Sequence, residues 1–316
     1  MLVFLEVEPE DIAKIQKIFP KAQIISKPLN ENEIIKKCHN AEILCVFIYS
    51  QITKKVIKNL PNLKLIVTRS VGYDHIDLNA AKEKGIKICN VPDYGSHVIA
   101  EHVFALLLCG LRHISEGDDR VEKNHKFDFH GLRGMALKAK TLGLIGTGKI
   151  GKNVARIASL GFLMNVIAYD PYPDEDAARE NHFQYVSLDK LLQKSDIISL
   201  HCPLLPNTKH IINKKSIEKM KNGIVIVNTS RGEIIETKAL LTGLKSKKIS
   251  HVFLDVLEHE KNLAENKEII NFPEVIVTPH IAFYADDSMK KMYEEAFSSI
   301  KKFLKGEKLM HQVEGI

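Results

Sequence analysis

Charged side chains follow three successive apolar segments in the second half of the chain. Arg231 follows IVIVN, Asp255 follows HVFL with Glu260 five residues later, and His280 follows VIVT. Open α/β sheets bind ligands where their strands end. Arginine holds a carboxylate through a fork of two hydrogen bonds, and histidine exchanges a proton near neutral pH when a carboxylate orients it. Arg231, Glu260 and His280 therefore predict a carboxylate-bearing substrate that exchanges a proton with the histidine.

A glycine-rich segment predicts a dinucleotide site. Gly146, Gly148 and Gly151 fit G-x-G-x-x-G, and they follow an apolar strand pattern and open a helix pattern. That context is what distinguishes a dinucleotide motif from a chance match. The glycines would allow a tight turn, backbone approach to a pyrophosphate and close helix packing, with the helix N-terminus facing the phosphates.

The next strand pattern ends in an acidic residue that favours NAD over NADP. Asp170 follows the glycines by roughly 20 residues, the spacing of an acid that accepts the adenosine-ribose hydroxyls. It would repel a 2′-phosphate, and Pro171, Tyr172 and Pro173 supply no cation. With NAD bound, the residues predict oxidation of a 2-hydroxy acid: the nicotinamide accepts the C2 hydride and His280 takes the hydroxyl proton.

Short apolar segments that alternate with helical patterns predict the elements that position these residues. Most segments are continuously apolar, as in strands buried on both faces of a parallel sheet, and the alternation indicates an α/β fold. The predicted strands are Leu2–Leu5, Ile43–Ile48, Leu63–Thr68, Ile86–Cys89, Leu142–Ile145, Asn165–Tyr169, Ile197–Leu200, Ile224–Asn228, Val252–Leu254 and Val275–Thr278.

Ten strands are too many for one sheet of the common five- or six-strand kind. Four precede residue 95 and six follow residue 140, with a long apolar helix pattern from near Ser96 between them. The last helix pattern, about 288–304, has no further strand after it, so we expect it to return to the first domain. The prediction is two doubly wound α/β domains, one of residues 1–95 and 285–316 and one of residues 96–284.

The composition excludes several classes of protein. The chain has 316 residues, of which 45% are hydrophobic and 27% charged, as in ordinary soluble globular proteins. The longest apolar run, Val103–Leu111, is far short of the ~20 residues of a membrane span. The net charge of +6 comes without a basic arm, which argues against nucleic acid. Five cysteines without a CxxC motif predict free thiols, no metal site and a cytoplasmic location.

The chain resembles the D-isomer-specific 2-hydroxyacid dehydrogenases over essentially its whole length. This resemblance implies a Rossmann NAD-binding domain, a flavodoxin-like substrate domain, a cleft between them, and usually a homodimer. The segments that carry it are RSVGYDHIDL (69–78), NVP and AEH (90–102), GLIGTGKIG (143–151), PLLPNTKHII (203–212), VNTSRGEII (227–235), LDVLEHE (254–260) and TPHIAFY (278–284).

The resemblance also implies roles for individual residues. Arg231 would clamp the substrate carboxylate with help from the backbone N–H groups of Val71 and Gly72, while His280 would act as acid and base, oriented by Glu260. His102 would lie close to the cleft or serve as a core histidine. Cofactor contacts would come from Gly146, Gly148, Lys149, Ile150 and Gly151 at the pyrophosphate, from Asp170, Cys202, Pro203 and Thr208 at the adenosine and its ribose, and from Thr229, Ser230 and Asp255 near the nicotinamide.

Three aromatic residues bear on the choice of substrate. Tyr49, Tyr94 and Phe283 resemble the wall of the D-lactate dehydrogenase branch, which suits a methyl or small alkyl group and implies pyruvate and D-lactate. Gly95–Ser96 departs from the Ser-Pro of that branch. Hydroxypyruvate/glyoxylate reduction and 3-phosphoglycerate oxidation therefore stay open, as does an NAD-sensing, corepressor-like interaction protein.

Overall fold

The chain consists of two compact units, each built on its own parallel sheet. The structure is a computed structural model that describes residues 1–260 and 262–313. One unit comprises Met1–Gly95 and the segment that begins at Asp286, and the other is Ser96–Ala285. The two parallel α/β domains predicted from the sequence are confirmed.

The elements alternate along the chain as the apolar pattern predicts. The strands are β1 (Leu2–Leu5), β2 (Gln23–Ile25), β3 (Ile43–Val46), β4 (Leu65–Thr68), β5 (Lys87–Cys89), β6 (Thr141–Ile145), β7 (Asn165–Tyr169), β8 (Gln184–Tyr185), β9 (Ile197–Leu200), β10 (Ile224–Asn228), β11 (Ile249–Leu254) and β12 (Val275–Val277). The helices are α1 (Ile12–Ile18), α2 (Glu31–Lys37), α3 (Lys54–Lys58), α4 (Leu78–Glu83), α5 (Ser96–Leu111), α6 (Ile114–Glu122), α7 (Lys149–Arg156), α8 (Glu175–Glu180), α9 (Leu188–Lys194), α10 (Lys214–Lys219), α11 (Thr237–Lys245), α12 (Lys267–Ile270) and α13 (Asp286–Leu304).

The first unit has a five-stranded sheet in the order β2-β1-β3-β4-β5. This is the flavodoxin-like order, in which ligands bind beyond the carboxyl ends of the strands. Residues of β3 and β4 are buried throughout, as a parallel sheet covered on both faces requires. Helix α13 belongs to this unit, where Phe297 packs edge-on against Phe4 and Phe19.

The second unit has a seven-stranded sheet in the order β12-β11-β10-β9-β6-β7-β8. The chain first builds outward from β6 through β7 to β8 and then returns to the other side of β6 with β9. The Rossmann order reverses at this point, and a dinucleotide binds at such a reversal. The loops after β6, β9, β10, β11 and β12 therefore start from one edge of this sheet.

Two strands were not predicted. β2 and β8 have only three and two residues, and none of these residues is buried. Both lie at an edge of their sheet. An edge strand that is partly exposed lacks the continuous apolar run by which the others are predicted. The second sheet consequently has seven strands rather than six.

No single helix among residues 1–260 and 262–313 is long and apolar enough to cross a membrane. Helices α5 and α6 reach that length and apolarity together, but they meet at an angle of 56°. Much of α5 is buried within the second unit, where Val103, Phe104 and Leu107 belong to its hydrophobic core.

Candidate active site

The turn after β10 places Arg231 just beyond the end of the strand, where its Nη1 donates to the Ser230 carbonyl oxygen at 2.8 Å. Asn228 is fully buried, and its Oδ1 accepts the backbone N–H of Ser230 at 3.0 Å and the Ser230 hydroxyl at 2.9 Å. Its Nδ2 donates to the carbonyl oxygen of Arg231 at 2.8 Å. The side chain thus fixes both ends of an Asx-type turn. Asn228 was not predicted as a site residue, although an asparagine two residues before a serine at a strand end is a recognisable turn signal.

Gly232 brings this turn against the loop that carries Glu260. A Cβ atom added at Gly232 would lie 2.0 Å from the carbonyl carbon of Leu257, so only glycine fits. The next residue, Glu258, accepts His210 Nε2 at 2.6 Å and the Thr237 N–H at 3.0 Å. Burial raises the pKa of Glu258, but these donors outweigh it and the pKa is lowered overall. Glu258 therefore stays ionised and secures the loop two residues before Glu260.

Glu260 and His280 meet as the sequence predicts. His280 Nδ1 lies 3.3 Å from Glu260 Oε2, and the other carboxylate oxygen, Oε1, accepts the Leu257 N–H at 3.4 Å. The backbone of His280 has φ +55°, and its N–H donates to the Asp255 carbonyl oxygen at 2.9 Å. Because the carboxylate occupies Nδ1, Nε2 is the nitrogen that remains for proton exchange.

The Asp255 carboxylate holds the loop that presents His280. It has no exposed side-chain surface and accepts the Thr278 hydroxyl at 2.5 Å. It also accepts the N–H groups of Ile281 and Ala282 at 2.9 and 2.8 Å. The side chain predicted to contact the nicotinamide is therefore engaged by the loop after β12, on both sides of His280.

His102 on α5 extends this arrangement. Its Nε2 lies 3.1 Å from Thr278 Oγ1. Since the Thr278 hydroxyl hydrogen is donated to Asp255, Nε2 of His102 must carry a hydrogen and donate it to Thr278. Burial lowers the pKa of His102 and the charge of Asp255 opposes that shift, with a net lowering. His102 is therefore a neutral donor that supports the histidine-bearing loop.

Phe283 lies against His280. Their ring centroids are 6.4 Å apart and the ring planes are inclined by 76°, an edge-to-face arrangement. Tyr284 also packs edge-to-face against Phe283, with ring centroids 5.8 Å apart. The aromatic residue predicted for the substrate wall is thus adjacent to the histidine predicted to be the acid and base.

The glycines after β6 have the geometry that a dinucleotide turn requires. Gly146 has φ +97°, and a Cβ there would meet the backbone of His201 and Cys202 at 2.6 Å. A Cβ at Gly151 would meet the Gly146 carbonyl oxygen at 2.3 Å. Gly148 instead faces open space and caps α7 without a side-chain hydrogen bond. Two glycines thus permit close backbone packing, and the third leaves the helix N-terminus, with Lys149 and Ile150, accessible to a pyrophosphate.

Asp170 is fixed beside that turn. Its Oδ2 accepts both the N–H of Thr147 at 2.8 Å and the Thr147 hydroxyl at 3.0 Å. Its Oδ1 accepts the Tyr172 N–H at 2.9 Å, and the Tyr185 hydroxyl lies 2.8 Å from Thr147 Oγ1. The carboxylate is oriented by backbone and hydroxyl donors, which suits a ribose contact at a defined place.

The loop after β9 and the end of β10 contain the other predicted cofactor residues. Burial raises the pKa of Cys202 to about 11, so it remains a thiol and not a nucleophile. Thr208 Oγ1 lies 2.6 Å from the Pro203 carbonyl oxygen and accepts the Leu205 N–H at 2.7 Å, which closes this loop. Thr229 Oγ1 is buried without a hydrogen-bond partner among the described residues. Such an orphaned hydroxyl fits a ligand contact.

In the first unit, the loop after β4 leaves backbone donors unused. The carbonyl oxygen of Val71 accepts Asn90 Nδ2 at 2.8 Å, and that of Gly72 accepts the Ser70 hydroxyl at 2.6 Å. The N–H groups of Val71, Gly72 and Tyr73 donate to no acceptor in the part of the chain that the structure describes. Consecutive N–H groups without an acceptor are chemically suited to an anion, and the assignment of Val71 and Gly72 to the substrate carboxylate stays a prediction.

The two predicted tyrosines lie in the loops after β3 and β5 of this unit. The Tyr49 side chain packs edge-on against Phe47 at 6.0 Å. Buried Glu6 at the end of β1 accepts the N–H groups of Phe47, at 2.7 Å, and Ser50, which lie on either side of Tyr49. Tyr94 follows β5 and is only 5% exposed. The role of Glu6 was not predicted, because an acid near the N-terminus gives no sign of the distant loop it binds.

Comparison with known proteins identifies the family. The sequence model for the NAD-binding domain of D-isomer specific 2-hydroxyacid dehydrogenases matches residues 104–282. The D-lactate dehydrogenase of Escherichia coli is 36% identical over 286 residues, 86% of each chain. The chain belongs to this family. It is therefore an NAD-dependent 2-hydroxyacid dehydrogenase, and the predicted family, fold and cofactor are confirmed.

Other members of the family have different names. The hydroxypyruvate reductase of Thermotoga maritima is 38% identical over 301 residues, 94% of this chain and 96% of its own. The structure of D-lactate dehydrogenase from Aquifex aeolicus, complexed with NAD and lactic acid, has a TM-score of 0.88 and 37% identity. The match covers 97% of this chain and 96% of that one. The comparisons thus establish the reaction class, whereas the relatives are named for more than one substrate.

Proposed function

We propose that this dehydrogenase interconverts pyruvate and D-lactate with NADH and NAD. The observation that carries the proposal is the edge-to-face contact of Phe283 with His280. An aromatic ring beside the proton-exchanging histidine gives the C3 end of the substrate an apolar neighbour. A methyl group fits such a neighbour, whereas a hydroxymethyl or phosphate group would lose hydrogen bonds to water there.

The reaction roles proposed for the side chains follow from their chemistry. Bound NADH supplies the hydride that reduces C2 of the keto acid. Arg231 binds the substrate carboxylate by a bidentate fork. His280 donates the proton of Nε2 to the carbonyl oxygen, and the Glu260 carboxylate, 3.3 Å from Nδ1, orients the ring for this transfer. In oxidation the same proton returns to His280.

The first unit would serve as the substrate domain. We assign the free N–H groups of Val71 and Gly72 to the substrate carboxylate, and Tyr49 and Tyr94 to the wall around its alkyl group. The loops after β1, β3, β4 and β5 contain a single arginine, Arg69, and no lysine. Arg69 is 1% exposed and donates to the carbonyl oxygens of Leu5 and Glu6 at 2.8 and 2.7 Å.

With Arg69 engaged in this way, these loops offer no cation to a phosphate, which argues against 3-phosphoglycerate. Hydroxypyruvate is the second candidate substrate, because the Thermotoga maritima relative carries that name and Gly95–Ser96 departs from the D-lactate pattern. It differs from pyruvate by one hydroxyl group, so the aromatic wall is the feature that would decide between them.

The deciding experiment measures NADH oxidation with pyruvate, 2-ketobutyrate, phenylpyruvate, hydroxypyruvate, glyoxylate and 3-phosphohydroxypyruvate, with NADPH in parallel. The highest kcat/KM for pyruvate with NADH supports the proposal. A higher value for hydroxypyruvate or glyoxylate would reject the assignment of Tyr49, Tyr94 and Phe283 to an alkyl-binding wall. NADH binding without turnover of any substrate would favour the corepressor-like alternative.

We also propose that the enzyme is a cytoplasmic homodimer whose partners are small 2-keto and 2-hydroxy acids rather than membranes or nucleic acids. All five cysteines are free thiols, which suits a reducing compartment.

Phe127 and Phe129 are 96% and 80% exposed within the polar segment Ser115–Lys140. Two such rings in water are typical of a surface that another chain covers. Light scattering after gel filtration tests this, and a monomeric mass would contradict it.

A further inference from the structure

A chain of buried polar side chains runs through the loop after β4 in the first unit. Thr68 Oγ1 lies 2.6 Å from Ser70 Oγ and 3.2 Å from His75 Nε2, and Ser70 Oγ lies 2.6 Å from the Gly72 carbonyl oxygen. Thr68, Ser70 and His75 are 0%, 3% and 8% exposed. None of the roles described so far uses these three side chains.

The direction of each hydrogen bond in this chain is fixed. A carbonyl oxygen only accepts, so the Ser70 hydroxyl hydrogen is donated to Gly72. Ser70 then has no hydrogen left for Thr68, and Thr68 must donate to Ser70. Thr68 in turn has none left for His75, so His75 must carry a hydrogen on Nε2 and donate it to Thr68. The order is His75 to Thr68 to Ser70 to the Gly72 carbonyl.

The segment after β5 also donates hydrogen bonds to this loop. The Val91 N–H donates to the Ser70 carbonyl oxygen at 3.0 Å, and Asn90 Nδ2 donates to the Val71 carbonyl oxygen at 2.8 Å. Three consecutive peptide groups therefore have their oxygen ends bound by the protein. Their N–H ends, at Val71, Gly72 and Tyr73, have no acceptor within the described residues. Hydrogen bonds in a row polarise one another, so a bound carbonyl makes the N–H of the same peptide group a stronger donor.

We propose that Thr68, Ser70, His75 and Asn90 are positioning residues that orient and strengthen the N–H groups of Val71–Tyr73 for the substrate carboxylate. The proposal rests on the proposed function insofar as this loop binds that carboxylate. It predicts a specific kinetic signature. Loss of the hydrogen-bond chain weakens binding of the carboxylate, which raises KM, while hydride and proton transfer at the other unit's side chains keep kcat nearly constant.

Two variants of Thr68 separate the hydrogen-bond chain from simple packing. Thr68→Val keeps the shape and removes the hydroxyl, whereas Thr68→Ser keeps the hydroxyl and removes a methyl group. We expect Thr68→Val to raise the pyruvate KM about 3- to 10-fold, the effect of one net hydrogen bond, with kcat within about 2-fold. Thr68→Ser should match the wild type. Asn90→Asp, which replaces the donating amide by an acceptor, should raise KM at least as much.

Three measurements keep this test independent of the proposed substrate. The inhibition constant of oxamate, a pyruvate-shaped carboxylate, should rise in parallel with KM, and the dissociation constant of NADH should stay unchanged. In the wild type without ligands, ¹⁵N NMR of labelled histidine should show a protonated Nε2 on His75. If pyruvate proves a poor substrate, the best keto acid of the panel replaces it, because every keto acid there carries the carboxylate.

Several outcomes would overturn the proposal. A Thr68→Ser protein as impaired as Thr68→Val would mean that the methyl group matters and the hydroxyl does not. A fall in kcat with constant KM would place the effect outside carboxylate binding. A His75 Nε2 without a proton would contradict the order of the chain. Failure of the wild type to bind oxamate in the presence of NADH would remove the anion site altogether.

Discussion

Two loops, one in each unit, are each held by a hydrogen-bond chain that runs from a histidine through a threonine. The loop in the second unit presents a side chain, that of His280, and the loop in the first unit presents backbone N–H groups. In the second unit, His102 donates to Thr278, which donates to the Asp255 carboxylate. In the first unit, His75 donates to Thr68, which donates onward through Ser70 to a carbonyl oxygen. The first loop follows the buried strand β4, whereas the second follows β12, a partly exposed strand at the edge of its sheet. Each therefore combines a histidine Nε2 donor with a threonine relay.

The final acceptor makes the difference between them. The Asp255 carboxylate accepts the N–H groups of Ile281 and Ala282, so that loop has its backbone donors satisfied and presents the side chain of His280. A carbonyl acceptor adds no such capacity for backbone donors, so the N–H groups of Val71 and Gly72 remain available. A carboxylate at the end of the hydrogen-bond chain binds the backbone N–H groups of its loop, which then presents a catalytic side chain. A carbonyl oxygen at the end leaves the backbone N–H groups of its loop available to bind an anion.

The largest effect should come from the side chain that the second loop presents. His280→Ala should lower kcat about 10²- to 10⁴-fold, the usual contribution of a positioned acid and base. NADH binding should change little, because the residues assigned to the dinucleotide lie in other loops. Stopped-flow and steady-state assays measure both quantities. His39→Ala, at an exposed position after α2, is the control, and near-normal turnover of His280→Ala would reject the assigned role.

Asp170→Ala should leave both loops intact and affect only the cofactor. Loss of hydrogen bonds to a charged group should raise the NADH KM about 10- to 100-fold. NADPH should be affected less, because removal of the carboxylate also removes its repulsion of a 2′-phosphate. The exposed Asp176→Ala serves as the matched control. Equal losses for the two cofactors would mean that Asp170 stabilises the turn around Thr147 rather than contacting the ribose.

Thr278→Val tests the comparison between the loops most directly. It removes the relay hydroxyl, as Thr68→Val does in the first unit, and leaves Asp255 and His102 each short of a partner. We expect kcat to fall about 3- to 10-fold, the effect of a net hydrogen bond, with the pyruvate KM within about 2-fold. Thr68→Val should show the reverse. If both variants raised KM alike, the two loops would not have separate roles.

The sequence was sufficient for the residues that act by charge at strand ends. Arg231, Glu260 and His280 are identifiable because each follows a continuously apolar strand, where parallel sheets bind ligands. Thr68 and Ser70 are small polar residues with no such signal. Their role depends on side-chain rotamers and on which hydroxyl donates to which, and a linear pattern contains neither.

The sequence pattern also fails to predict contacts between residues far apart in the chain and short strands at the edge of a sheet. Glu6 binds backbone about forty residues away, and β2 and β8 are short edge strands without a buried run. Asp255 illustrates an intermediate case. Its place at a strand end is predictable, but its three donors within residues 278–282 became evident only from the folded loop.

The smallest effect concerns pH and the neutral state of His102. Burial lowers its pKa, so the unfolded chain binds a proton more readily than the folded one. Stability should therefore decrease as pH falls from about 6.5 toward the lowered value, by less than about 1.4 kcal/mol per pH unit for this group. His201 and His251 have lowered pKa values for the same reason and contribute to the wild-type slope. Only the difference between wild type and variant isolates His102.

His102→Gln is the informative variant, because its side-chain amide keeps an N–H donor for Thr278 but does not titrate. Near pH 8 its free energy of unfolding should be close to that of the wild type, and below pH 6.5 the wild type should lose stability faster. Urea unfolding at a series of pH values measures the two curves. Parallel curves would show that His102 is not a neutral donor in the folded protein. The hydrogen bond to Thr278 would then come from a charged imidazolium rather than from a neutral ring.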